Sequence, residues 1–201
     1  MSVNLQKGQK ISLVKEGSGG LKKIMVGLGW DEVEQKRRLF APKPQDIDCD
    51  ASVILCGKDG KVISQDANKC CVYFGNLRHS SGAIVHQGDN LTGGGEGDDE
   101  QIMVDLPMVP AEIDKLVFVV NIYDAGVRGQ HFGMIRNAFI RIVDTTSRTE
   151  LCRFNLTEEY SGMQGLVVGE LYRHNNEWKF NAVGQGIREA SRLMNIIRMY
   201  T

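Results

Sequence analysis

Apolar and polar residues alternate in short runs along most of the chain, and glycine, asparagine and aspartate punctuate the runs. Ile11-Ser12-Leu13-Val14 and Lys23-Ile24-Met25-Val26-Gly27-Leu28 read as strands joined across Gly17-Ser18-Gly19-Gly20. Ala51-Ser52-Val53-Ile54-Leu55-Cys56 reads as another, stopped by the turn signal Lys58-Asp59-Gly60, and Cys70 to Phe74 has the same character. Ile102-Met103-Val104-Asp105-Leu106 alternates, and Lys115 to Tyr123 is long, β-branched and aromatic, as a central strand is. Two hairpins follow, one joining Ala138–Val143 to Glu150–Phe154, the other joining Gly165–Tyr172 to Trp178–Val183 across Asn175-Asn176. Helical signals are fewer. Val109 to Asp114 reads as a single turn with Pro110 near its start. From Ile187 onward, Ala190, Leu193, Met194, Ile197 and Tyr200 recur at helical spacing, which predicts an amphipathic C-terminal helix packed on the protein's own sheet. These elements predict a mainly β fold, an antiparallel β-sandwich of two sheets with a few short helices, formed by residues 1–201 as one domain.

Composition changes this picture little. The 201 residues are 42% hydrophobic and 24% charged, with a formal net charge of -1, so nothing favours nucleic acid as a partner. The opening MSVNLQKGQKISLVKEG lacks the apolar run of a secretion signal, and no stretch is long and apolar enough to insert into a membrane, so a cytoplasmic protein is expected. Cys49, Cys56, Cys70, Cys71 and Cys152 contain no CxxC pair and specify neither a zinc site nor a disulfide framework. Residues 31–47, with Lys36-Arg37-Arg38 and two prolines, read as a long connecting loop.

The departure from ordinary composition is GDNLTGGGEGDDE, from Gly88 to Glu100, which holds five carboxylates and five glycines and no cation. Two carboxylates about 4 Å apart repel by roughly 4 kcal/mol at an effective dielectric of about 20. Such a stretch either spreads into water or surrounds cations. A phosphate loop fails, unless a metal bridges the groups, because five anions would repel the phosphate and the GK[ST] ending is absent. An EF-hand with Asp89 first would place Leu91 and Gly93 at liganding positions 3 and 5, so that reading fails as well. A calcium loop of another kind remains open. Asp89, Asn90, Glu96, Asp98, Asp99 and Glu100 offer hard oxygens, and glycines let main-chain carbonyls turn inward. The run Asp46-Ile47-Asp48-Cys49-Asp50 spaces three more carboxylates two apart, on one face of an extended chain, and Asp31 ends the strand that carries Gly27-Leu28-Gly29-Trp30.

With GLGWD (Gly27–Asp31), DCDAS (Asp48–Ser52), IYDA (Ile122–Ala125), RNAFIR (Arg136–Arg141), GELYR (Gly169–Arg173) and EWKFNAVGQG (Glu177–Gly186), the acidic run closely resembles the TerD family of tellurite-resistance and stress-response proteins. The resemblance implies a cytoplasmic β-sandwich that binds about two calcium ions and has no established catalytic activity. It also implies action in complexes with other stress-response proteins, including a membrane-embedded partner. The metal ligands it implies are Asp31, Asp48, Asp50, Asp89, Asn90, Glu96, Asp98, Asp99 and Glu100; Asp46 lies outside the pattern, and Asp124 matches a residue suited to orienting the loop. Cys49 stands where the family has leucine, and on an extended strand it faces away from Asp48 and Asp50. A metal-dependent hydrolase acting on phosphoesters is the alternative, motivated by His86 and Ser52 near the acidic residues. Oxyanion chemistry at Cys70-Cys71 is a third reading, although only Lys69 adjoins that pair as a thiolate-activating charge.

Overall fold

The computed structural model describes residues 2–13, 21–32, 47–88, 97–156, 160–175 and 177–201. The expected turn at Gly17–Gly20, most of the 31–47 loop, Asp46, Asp89, Asn90, Glu96 and Asn176 lie outside these residues. The described strands are β1 (Val3–Leu5), β2 (Lys10–Ser12), β3 (Lys23–Glu32), β4 (Cys49–Cys56), β5 (Cys71–Val72), β6 (Ile84–His86) and β7 (Glu100–Asp105). They continue with β8 (Lys115–Ile122), β9 (Ile135–Asp144), β10 (Thr149–Asn155), β11 (Gly165–His174) and β12 (Glu177–Ile187). One sheet runs β1-β10-β9-β3-β7-β6 and the other β2-β12-β11-β8-β4-β5, so the fold is the expected two-sheet β protein. Among the described strands every pairing is antiparallel except β1 against β10.

The strand patterns explain which faces meet. In β7, Glu100, Ile102 and Val104 are buried and the residues between them are half-exposed, the alternation of a strand with one covered face. In β4 every residue is buried, because both of its faces are covered. Cys49, Ala51, Val53 and Leu55 join Leu28, Ile102, Phe118 and Ile140 in the core between the sheets. Ile54 and Cys56 face the other way and pack with Val117, Val119, Ala190, Ile196 and Ile197 on the outer face of the second sheet.

Three local expectations are corrected. The strands around Ile11 and Ile24 do not pair with each other: β2 adds to β12 in the second sheet, whereas β3 is central in the first. The C-terminal helix is short, because β12 pairs with β11 as far as Ile187 and uses up the first residues of the helical pattern. What remains is a helix at Leu193–Ile197 and a 3-10 turn at Arg198–Tyr200, which cover the second sheet as the apolar spacing requires. Val109 to Asp114 is a turn closed by the Ile113 N–H on the Pro110 carbonyl at 3.0 Å, and the 3-10 helix lies earlier, at Leu106–Met108.

Phe118 is fully buried at the centre of β8. Phe118→Ala is expected to lower unfolding free energy by about 3–5 kcal/mol, read from urea denaturation midpoints at unchanged slope.

Candidate functional site

The described acidic residues lie at one end of the sandwich, where β3 ends and β4 and β7 begin. Glu100 and His86 point from the first sheet into the core and reach the backbone of Ala51 in the second. Glu100 Oε2 accepts a hydrogen bond from the Ala51 N–H at 2.5 Å, and His86 Nε2 lies 3.2 Å from the Ala51 carbonyl and 3.4 Å from Glu100 Oε2. The Gly88 N–H donates to His86 Nδ1 at 3.1 Å, so Nε2 carries the proton that the Ala51 carbonyl receives. Sequence reasoning took Glu100 as a ligand and His86 as possible catalytic chemistry; their service as an inter-sheet tie had no local signal.

Asp98 and Asp99 turn differently. Asp98 lies over the outer face of the first sheet, where Arg141 of β9 grips it with two bonds, Nε to Oδ1 at 2.7 Å and Nη2 to Oδ2 at 2.9 Å. The missing side chain of Gly27 makes this possible, since a Cβ there would land on the Asp98 carboxylate. Gly29 likewise makes room for the Phe139 ring and the Gly97 carbonyl. Paired glycines two apart in a strand were the available signal of this close approach. Asp99 Oδ2 accepts from the Trp30 N–H at 2.7 Å, across 69 positions of sequence, where a bulge separates Gly29 from Asp31 in the pairing with β9. Burial pushes the Asp99 carboxyl above its ordinary range, the Trp30 hydrogen bond opposes that, and the charges of Asp31 and Asp98 raise it further. Asp31 is exposed at the end of β3 and accepts from Asn137 Nδ2 at 2.7 Å.

Asp48 and Asp50 belong to the other side. Asp48 Oδ2 lies 3.9 Å from Arg128 Nη1, while its carbonyl accepts from the Tyr123 N–H at 2.8 Å. Asp50 is buried on the outer face of the second sheet, opposite Asn121 in the ladder. The carboxylates are thus gathered at one rim but divided among the outer face of one sheet, the core and the outer face of the other. Among the described residues no three His, Cys, Asp or Glu side chains converge on one point. His86 and Ser52 stand on opposite sides of β4, His86 beside Glu100 and Ser52 in the cavity that Asp50 also lines. Asp124 has left-handed backbone (φ 49°), and its Oδ1 lies 3.6 Å from Arg192 Nη2.

All five cysteines are buried and unpaired by disulfides, Cys49 within the inter-sheet core. Burial pushes the Cys56 and Cys152 thiols up to about 12 and raises Cys70 and Cys71 as well, the opposite of activation.

A TerD domain matches residues 1–200 of the chain. The chain is 50% identical over 204 residues to the stress response protein SCP2 of Bacillus subtilis (strain 168), covering 100% of both chains. It is 46% identical over 186 residues to the tellurium resistance protein TerD of Serratia marcescens, covering 92% of this chain and 91% of that one. The crystal structure of a homologue of telluride resistance protein (TerD) from Streptomyces coelicolor A3(2) superposes with a TM-score of 0.66 at 20% identity, over 90% of this chain and 99% of that one, a likeness of fold.

Two outcomes check this geometry. Glu100→Leu leaves the buried Ala51 N–H without its acceptor and is expected to cost about 1–3 kcal/mol in chelator-containing buffer, measured by urea unfolding. A disulfide thiol reagent at pH 8 is expected to label none of the five cysteines in the folded protein over a period that labels all five in guanidinium; rapid labelling of Cys70 or Cys71 without denaturant would contradict the burial described.

Proposed function

The chain belongs to the TerD family, and on that premise we propose that it is a non-enzymatic, calcium-binding stress-response protein of the tellurium-resistance type. It acts in the cytoplasm and presents a calcium-dependent rim to other stress-response proteins, a membrane-embedded partner among them. The biological part is supported by relatives at 46–50% identity whose names are stress response protein and tellurium resistance protein. Among the described residues no helix is long and apolar enough to cross a membrane, so the membrane-embedded component is assigned to the partner.

The observation that carries the calcium reading is the gathering of Asp31, Asp98 and Asp99 at one rim, where the Asp99 carboxyl is raised by burial and then by its two anionic neighbours. The named donors on Asp31 and Asp99 are neutral, the Asn137 amide and the Trp30 N–H. Carboxylate and amide oxygens are hard donors, suited to calcium and not to zinc or copper. Asp31 and Asp99 would hold one ion with oxygens from Asp89, Asn90 and Glu96, Asp98 being taken up by Arg141 beside them, and Asp48 and Asp50 would serve a second. Glu100 would stand between the two groups, tying β7 to β4. The ion supplies positive charge where carboxylates crowd. The chain's own residues set its surroundings: Arg141 fixes Asp98, Trp30 fixes Asp99 and Asn137 fixes Asp31.

Calorimetric titration of calcium into chelator-stripped protein, with magnesium present, is expected to give about two sites per chain with dissociation constants near 10⁻⁷–10⁻⁵ M. Calcium at 100 times the dissociation constant should then stabilise the fold by about 2.7 kcal/mol per site. Asp31→Asn with Asp99→Asn should remove one site and its share of the stabilisation. No heat of binding together with an unchanged melting temperature would remove calcium from this reading.

A further inference from the structure

A cavity of about 220 Å³ opens on the outer face of the second sheet, between β4, β8 and the C-terminal segment, on the far side of β4 from the core. Its floor is polar. Asp50 and Ser52 alternate on β4, and Asn121 faces Asp50 across the ladder; they are 5%, 1% and 2% exposed. Among the described residues the Ser52 hydroxyl and the Asn121 side-chain carbonyl have no hydrogen-bond partner. Elsewhere the same face of these strands carries Ile54, Val117 and Val119, so polar side chains here are an exception to an apolar surface. Buried polar atoms without partners are costly, and a ligand that satisfies them accounts for their presence.

The walls are of another kind. Tyr73, Phe74 and Tyr123 contribute aromatic rings, and Leu193 and Ile197 of the C-terminal helix close one side. Phe74, Tyr123 and Met194 are 44%, 38% and 42% exposed, so the mouth is open and carries apolar side chains. Arg192 stands at the mouth, 73% exposed, beside Asp124.

We propose that this cavity binds a small organic ammonium ion, with the charged head on the Asn121–Ser52–Asp50 floor and the hydrocarbon body against the walls. An ammonium has three donors and no acceptor, which complements the Asn121 carbonyl, the Ser52 hydroxyl and a carboxylate. Aromatic faces attract cations, and the attraction grows as water is excluded. An anion would meet Asp50, and a bare metal ion would leave the apolar walls without contacts. Size limits the body: a cavity near 150 Å³ takes benzene, so about 220 Å³ accommodates a ring or short chain with an aminomethyl group. The same chemistry comes from a free amine or from a lysine side chain offered by another protein.

The test titrates benzylamine into the protein at pH 7 with chelator present, which keeps calcium at Asp50 out of the reading, and follows the Asn121 side-chain amide by NMR. Benzyl alcohol and benzoate serve as neutral and anionic matches, and Nα-acetyl-lysine methylamide as the protein-like source. Saturable shifts with benzylamine are expected, with binding at least tenfold weaker for the alcohol and for benzoate. Asn121→Leu and Tyr123→Ala should each weaken binding at least tenfold, and Tyr123→Ala, half-exposed at the mouth, should keep the wild-type melting temperature. Tighter binding of benzylamine than of the lysine derivative assigns a free amine as the ligand; the reverse order assigns a lysine side chain. Absence of saturable shifts, equal affinity for the three head groups, or wild-type affinity in the folded Tyr123→Ala protein overturns the proposal.

Discussion

β5 pairs with β4 only at Val53 and Ile54, so among the described residues the edge of β4 at Ala51 faces no strand. Its N–H and carbonyl are nevertheless buried, and two side chains from the opposite sheet take the place of a strand, Glu100 accepting from one group and His86 meeting the other. In a water-poor interior an unpaired backbone group is costly and a hydrogen bond to a carboxylate is strong. The arrangement fixes β4 relative to β6 and β7 at the rim. The acidic stretches are the ends of β3, β4 and β7, so their positions follow from this tie together with the β3–β7 ladder.

The compensation of charge at the rim is uneven, and that unevenness gives the site its chemical direction. Asp98 is matched by the guanidinium of Arg141 in two-pronged geometry, which anchors the loop end to β9. Asp31 and Asp99 receive neutral donors, which orient them without cancelling their charge. A mobile cation therefore has more to gain beside Asp31 and Asp99 than beside Asp98 alone. Because Asp98 lies outside the first sheet and Asp50 outside the second, one ion does not span both groups, which favours separate positions joined through Glu100.

How much of this was readable from the chain depends on the range of each interaction. The alternation in β7 and the long apolar run of β8 are local patterns, and both gave the right element because their burial follows directly from side-chain period. The Ala138–Val143 and Glu150–Phe154 strands pair as a hairpin for the same reason, with the turn chemistry between them. The pattern after Ile187 misled in extent because β11 offers a ladder to residues whose apolar spacing also suits a helix, and tertiary pairing won. Asp98 and Asp99 stood out through composition, and Asp31 through its place at the end of a strand. The Arg141 grip was not legible, since it joins residues far apart in the chain, and the glycines at 27 and 29 signalled a close approach without saying what approaches.

β4 is the strand on which these environments meet. Its odd-numbered positions, Cys49 and Ala51, face the core, while Asp50 and Ser52 face the outer cavity. Slipping β4 by one residue against β8 would exchange the two sets, driving the Asp50 carboxylate between the sheets and bringing Cys49 to the cavity floor. A carboxylate between the sheets is costly without a donor such as the Ala51 N–H that Glu100 has there, and the Ala51 backbone would lose its partners from the opposite sheet in the same step. The charge of Asp50 thus selects the register, and the register delivers Ala51 to Glu100. The C-terminal segment then closes the outer face: the Asp124 N–H donates to the Ser191 carbonyl, and the Val62 N–H to that of Tyr200. Polar residues that look costly in a central strand are, on this view, part of what gives that strand a single place in the sandwich.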